Sequence, residues 1–263
     1  MLDPSSRPVV FRGGAFTPKH YRLAAVGSLV GFVALWQLAS WLAWVSPIFM
    51  PSPMEVAASL RRMAAGELWG HLGASLGRLM GGYLIGMSAG IAFGLSLGLF
   101  TVMRSAGIAL VSALFPIPKI ALLPLFILWF GIGEGSKIAT IAFGTFFPTV
   151  IATYGAVDNV DRSLVRMGRA FGLSSSDIVL KIVVPGAMPG ILSGLRIAAS
   201  IGIVLLVAAE MIGANRGIGA LVLTAGNLMQ TDQLVAGVAV LSVLGLTVAG
   251  ILGALEKWLL AWR

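Results

Sequence analysis

Apolar positions along the chain gather into six blocks, each close to the roughly 20 helical residues needed to cross a hydrocarbon core about 30 Å thick. Windowed hydropathy predicts helices over Leu23–Val45, Leu79–Phe100, Ile108–Phe130, Ile138–Val157, Ile191–Ile212 and Leu234–Leu255. Charged residues stand singly between the blocks, apart from one longer polar segment over 158–189. The expected class is all-α, a polytopic membrane protein of about six transmembrane helices.

Patterns inside and between the blocks add detail. The second block carries a four-residue ladder, Gly82, Gly86, Gly90, Gly94 and Gly98, a spacing that lets two helices approach backbone to backbone in lipid. The third contains Pro116, Pro118 and Pro124, which remove backbone donors, so it is expected to be loosened and to face the bundle interior. After Pro51-Ser52-Pro53, the residues Met54, Val56, Ala57, Leu60 and Met63 recur at helical spacing, with Glu55, Arg61 and Arg62 off that face. They predict a short amphipathic helix on the outer surface.

The polar segment reads as two short helices meeting at a sharp turn. Leu164, Met167 and Phe171 lie at i, i+3 and i+7, while Arg162, Arg166 and Arg169 share another face. One face is expected to lie on the membrane domain and the other to meet a soluble partner. Gly172 ends the first helix, because glycine takes a left-handed conformation without steric cost. Ser174 and Asp177 open the second.

Composition agrees with a bilayer as solvent: of 263 residues, 58% are hydrophobic and 11% charged. The absence of cysteine excludes disulfides and thiol chemistry, and His20 and His71 alone, both placed outside the spans, cannot build a metal site. The net charge of +8 is scattered rather than striped, which argues against nucleic acid. Sorting the basic residues by loop puts Arg7, Arg12, Lys19, Arg22, Arg104, Arg162, Arg166, Arg169, Lys181, Lys257 and Arg263 on one side. The other side receives Arg61, Arg62, Arg78, Lys137 and Arg216, a bias that makes both termini cytoplasmic. The first block is too long for a signal peptide and lacks a small-x-small cleavage pattern, so it reads as a retained helix.

Arg166-Met167-Gly168-Arg169-Ala170-Phe171-Gly172, nine residues, then Ile182-Val183-Val184-Pro185 resembles the EAA loop of ABC importer permeases. Gly172, Ile182 and Pro185 match; Arg166 stands where that family has an acidic residue, and Gly168 fills its second small position. Met50-Pro51-Ser52-Pro53, Ala121-Leu122-Leu123-Pro124-Leu125, Leu128-Trp129-Phe130-Gly131-Ile132-Gly133 and Ala208-Ala209-Glu210-Met211-Ile212-Gly213-Ala214 resemble the nitrate, taurine and aliphatic sulfonate branch. Ala65-Gly66-Glu67-Leu68-Trp69, Asn159-Val160-Asp161-Arg162 and Gln230-Thr231-Asp232 are most similar to aliphatic sulfonate permeases.

The resemblance implies a type I ABC importer permease fold in a bacterial inner membrane. It implies a cytoplasmic tail over 1–22, a first span over 23–45, an outer loop with the amphipathic helix over 46–76, and a permease core over 77–263. Implied partners are two ABC ATPase subunits, which use ATP and Mg, a second copy of this permease, and a periplasmic or lipid-anchored substrate-binding protein. The chain itself carries no GxxxxGK[ST] phosphate loop and binds no cofactor of its own, so it is not the ATPase. Arg166, Met167, Gly168, Arg169, Ala170, Phe171, Gly172, Leu173, Ser174 and Asp177 are the expected ATPase-coupling residues. The implied cargo is a small anion, most specifically an aliphatic sulfonate, with taurine, nitrate, bicarbonate or a vitamin precursor as alternatives.

Polar residues inside the blocks are the remaining candidates. Glu210, near the outer end of its helix, either holds structure by hydrogen bonds or belongs to an outer gate. Lys119 and Arg196 either neutralise an anion in transit or snorkel to the inner interface. Asn215 and Arg216 form either a solvated turn or a contact for a binding protein. Two other classes fit poorly: a gradient-driven transporter would show inverted repeats and midplane ionisable groups, and an intramembrane enzyme would need catalytic side chains within the spans.

Overall fold

The computed structural model describes residues 22–262 except 43, 45 and 47. The tail expected over 1–22 therefore lies almost wholly outside the described residues, as do His20 and the end of the first expected span at Val45. Helix α1, Arg22–Trp41, occupies the place of that span. Helix α2, Pro53–Ala64, is the expected amphipathic helix, started by Ser52, whose side chain accepts the Glu55 N–H while the Glu55 carboxylate takes the Ser52 N–H at 2.7 Å.

Helices α3 (Leu68–Leu99), α6 (Glu134–Asp158), α8 (Ser175–Gly213) and α10 (Thr231–Leu259) are each long and apolar enough to cross a membrane. A further pair is long and apolar enough only when taken together: α4 (Thr101–Leu114) and the helical stretch Lys119–Phe130, which ends in α5 (Leu123–Phe130), bend by 87° where Pro116 and Pro118 interrupt the ladder, as a broken span or a re-entrant loop does. The short helices α7 (Arg162–Ala170) and α9 (Ile218–Asn227) complete the order.

Helix α6 is sandwiched between α3 and α8. The glycine ladder of α3 meets Ile141, Thr145, Thr149, Thr153 and Val157 of α6, also spaced by four and rising in the same direction, so the two helices are parallel. The hydroxyls of Thr145 and Thr149 turn back onto the carbonyls of Ile141 and Thr145, at 2.9 and 2.7 Å. Thr149 thereby turns its carbons to Gly90, whereas Thr145 keeps its hydroxyl against Gly86, and a Cβ at Gly82, Gly94 or Gly98 would come within 2.6 Å of a side-chain carbon. On the other side of α6, Gly190 and Gly194 of α8 sit on Ala156 and Ala152, in the antiparallel sense.

Ion pairs mark the two ends of the bundle. Arg78, Glu134 and Glu210 meet at one, the Arg78 end; Arg104 pairs with Asp158 at the other, the Arg104 end. Arg62–Asp232 ties α2 to α10 at the Arg78 end, and Arg196–Glu256 ties α8 to α10 toward the Arg104 end.

Two helix starts differ from the hydropathy reading. Helix α3 begins at Leu68 rather than Leu79, so 68–76 belong to the bundle rather than to an outer loop, and His71 sits in the first turns of a spanning helix. Arg78 lowers the hydropathy there, but its charge is matched inside the bundle. Helix α8 begins at Ser175 rather than Ile191, so the second short helix is the start of a continuous 39-residue span. Its turn Val179–Val183 widens to π geometry just before Pro185, whose nitrogen offers no hydrogen. The bent pair is interior only in part: Val111, Leu123 and Phe126 are buried, whereas none of Lys119–Leu122 is.

Candidate functional site

The expected coupling residues are brought together at the Arg104 end. Helix α7 starts at Asp161, whose carboxylate accepts the Ser163 N–H at 2.7 Å, a bond that holds its pKa below the ordinary value. It ends as the Phe171, Gly172 and Leu173 amides return to Met167, Arg169 and Gly168 carbonyls at 3.0 Å, with Gly172 at φ +74°. Ser174 then caps α8, accepting the Asp177 N–H at 3.1 Å, while Lys181 pairs with Asp177 at 2.6 Å.

The structure shows which face of α7 is covered. The apolar stripe Leu164, Met167 and Phe171 points away from the membrane domain, with Phe171 80% exposed. The seat is made instead by Gly168, which lies against Ile182, Leu173 and Ile178, and by Val165. Glycine permits the closest approach, so the helix rests on its smallest residue and leaves its largest apolar ones outward. Arg162 and Arg169 turn back toward the bundle end, while Ala170 stays exposed.

At the opposite end Glu210 is fully buried. Its carboxylate accepts from the Ser75 hydroxyl at 2.8 and 2.9 Å, from Arg78 at 2.6 Å and from the Gly219 N–H at 2.9 Å. Arg78, 4% exposed, also forks onto Glu134 at 2.5 and 2.7 Å and donates to the Arg216 carbonyl at 2.5 Å. Ser75 accepts the Ile218 N–H at 2.9 Å, and His71 Nδ1 accepts the Gly217 N–H at 3.1 Å. Lys137, also buried, closes the 132–133 turn by donating to both carbonyls at 2.9 Å. The cluster clamps α3, α6, α8 and the loop before α9 together. The Glu210 oxygens are engaged by three donors, which ties α8 to α3 and to the start of α9.

Lys119 sits beside the middle of α6, its ammonium 4.9 Å from the Phe115 ring centre and 5.1 Å from that of Phe147, donating to the Phe115 carbonyl. Arg196 is different: it lies nearer the Arg104 end and is engaged by Glu256. Asn215 and Arg216 line a cleft of about 630 Å³ at the Arg78 end with Glu67, His71, Gln230 and Gln233.

Sequence reasoning missed Ser75, Arg78, Glu134 and Lys137 as cluster members. The signal was there: Arg78 lies one residue before a hydropathic block, and Glu134 and Lys137 stand just before another. Such charges at span ends invite a search for partners.

The family described as binding-protein-dependent transport system inner membrane component matches residues 82–260. A protein of Escherichia coli (strain K12) named for aliphatic sulfonates transport as a permease is 41% identical over 89% of this chain and 89% of its own. The taurine transport system permease protein of the same organism is 35% identical over 91% of this chain and 89% of its own. Among solved structures, a chain of the MetNI methionine ABC transporter superposes with a TM-score of 0.63 at 20% identity, covering 73% of this chain and 95% of that one. This likeness supports the type I permease fold. The inner-membrane bundle, the absence of an ATP-binding loop and the match across the core lead to one conclusion: the chain belongs to the binding-protein-dependent transport system inner membrane components, the permease subunits of ABC importers, whose ATPase is a separate subunit.

Proposed function

We propose that this permease carries a small sulfonate anion and that its α7 helix is the docking surface for the partner ATPase. The observation that carries the docking reading is the outward stripe Leu164, Met167 and Phe171, presented on a glycine turn at the start of the unbroken helix α8. At 1.5 Å per residue that helix is a lever of about 55 Å running from the docking face to the Glu210 clamp. A push on α7 during ATP-driven closure of the ATPase pair reaches the far end through one rigid element. Two ATPase copies, using ATP and Mg, and two copies of this chain complete the pathway. A binding protein docks at the Asn215–Arg216 cleft, and the basic Arg104 end faces the cytoplasm, as do both termini.

Gly172→Val tests the docking turn. The added Cβ meets no atom, so the change acts through backbone strain at positive φ, about 1–2 kcal/mol, which reorients the turn. The expected result is an assembled complex in which sulfonate uptake per ATP hydrolysed falls severalfold; unchanged stoichiometry in proteoliposomes removes the turn from the coupling.

For the cargo, the support is the pair of relatives named for sulfonate and taurine transport, together with a cation held at mid-depth on an open face. Lys119→Met is expected to cut uptake of a labelled alkanesulfonate about tenfold, the scale of one charged hydrogen bond, while the ATPase still co-purifies. Uptake is measured in proteoliposomes with competing taurine, nitrate, bicarbonate and a neutral vitamin precursor. Competition by sulfonates alone supports the reading, and competition by the neutral compound alone overturns it.

A further inference from the structure

The basic face of α7 turns toward the membrane bundle and lines a cleft of about 870 Å³ between α7 and the ends of α3 and α6. Arg104, Arg162 and Arg169 supply its charge, and Val165, Leu180 and Val183 supply apolar wall. Arg104 is already engaged by Asp158. Among the described residues Arg162 and Arg169 have no acidic partner at ion-pair distance, so the cleft keeps a surplus of two positive charges.

Three features select an occupant. The cleft lies level with Leu99 and Asp158, the last residues of two membrane-crossing helices, which is the depth of lipid headgroups. Its arginines share the cleft with apolar side chains, Val165 between Arg162 and Arg169 on α7 and Leu180, 67% exposed, and Val183 on α8. Arginine forks fit phosphate oxygens in pairs, and basic clefts between helices at a membrane surface take anionic headgroups. A soluble anion would satisfy the arginines but leave the apolar wall uncovered.

We propose that this cleft binds an anionic phospholipid, its phosphate held by Arg162 and Arg169 and its acyl region lying along Leu180 and Val183. The two faces of α7 then have separate tasks: the apolar face outward for protein, the basic face inward for lipid. The site depends on the chain crossing a membrane and not on its cargo or its ATPase contact.

The test is native mass spectrometry of the intact complex taken from nanodiscs of mixed phosphatidylglycerol and phosphatidylcholine. The unaltered protein is expected to retain phosphatidylglycerol preferentially, and R162Q/R169Q to lose that preference by about thirtyfold. The charge-matched control R61Q/R216Q, at the opposite end, is expected to keep it. Equal retention in R162Q/R169Q overturns the proposal, as does displacement of the lipid by millimolar inorganic phosphate, which would mark a site for a free anion. Should R162Q/R169Q fail to assemble, a photoactivatable phosphatidylglycerol on the unaltered chain decides: crosslinks within α7 or at Leu180–Val183 support the site, and crosslinks confined elsewhere overturn it.

Discussion

Arg78→Ala is expected to lower the unfolding free energy by about 3–5 kcal/mol, because it leaves the buried Glu210 carboxylate without its cation and takes a forked partner from Glu134. The remaining donors to Glu210, the Ser75 hydroxyl and the Gly219 amide, are neutral. Thermal unfolding in mild detergent checks this. The signature of the mechanism is the pair R78L/E210L: removing both charges at once should recover a large part of the loss, since the penalty lies in the unpaired charge. If the double variant is as unstable as the sum of the two singles, the clamp is not an ion-pair clamp. Glu134→Gln should cost far less, because Glu134 is 60% exposed and water screens its charge.

Gly90→Leu attacks the other structural element, the seam between α3 and α6. A Cβ at Gly90 would lie 2.7 Å from the Thr149 Cβ and 2.9 Å from the Phe146 carbonyl oxygen, so the backbones must separate. The cost is expected to be about 3 kcal/mol, at the upper end for overpacking, because a carbonyl cannot rotate away as a side chain can. Gly77→Leu in the same helix is the control, as a Cβ there meets nothing within 4 Å. Equal loss in both variants would show that the cost does not arise at the seam, since helix propensity alone favours leucine over glycine at both positions.

These two elements were unequally legible in the sequence. The glycine ladder was plain because five small residues at a spacing of four serve little else in lipid. Its partner was concealed: Thr145, Thr149 and Thr153 look like ordinary tolerated hydroxyls, and only contact shows that they form the matching row. The clamp was half visible. Glu210 stands out in an apolar run, but hydropathy scores Arg78 as if it were in water, which placed the start of α3 at Leu79 and separated Arg78 from its helix. A charge cancelled within the bundle carries no such penalty, and a one-residue scale cannot register cancellation.

The coupling segment shows a different limit. Periodicity identified two faces on α7 and the glycine turn at Gly172, and both are present. It could not say which face is covered, because an apolar stripe at a membrane surface suits lipid, bundle and protein partner equally. Gly168 carried that information, since the smallest residue on a helix marks its closest contact. Lys119 shows a similar limit: its type and position leave both anion neutralisation and snorkelling open, and only contact shows its ammonium at the Phe115 carbonyl beside Phe147.

The most direct test of the central claim is vanadate-sensitive ATP hydrolysis by the tagged chain purified with its co-purifying subunits. It is measured with and without a sulfonate-loaded binding protein, for the unaltered chain and for Phe171→Glu, which charges the outward stripe of α7. The account predicts hydrolysis that rises with the loaded binding protein, and loss of the co-purifying ATPase in Phe171→Glu despite a folded bundle. An ATPase that stays bound and stimulated in Phe171→Glu would contradict the docking face, and hydrolysis indifferent to sulfonate would contradict the cargo.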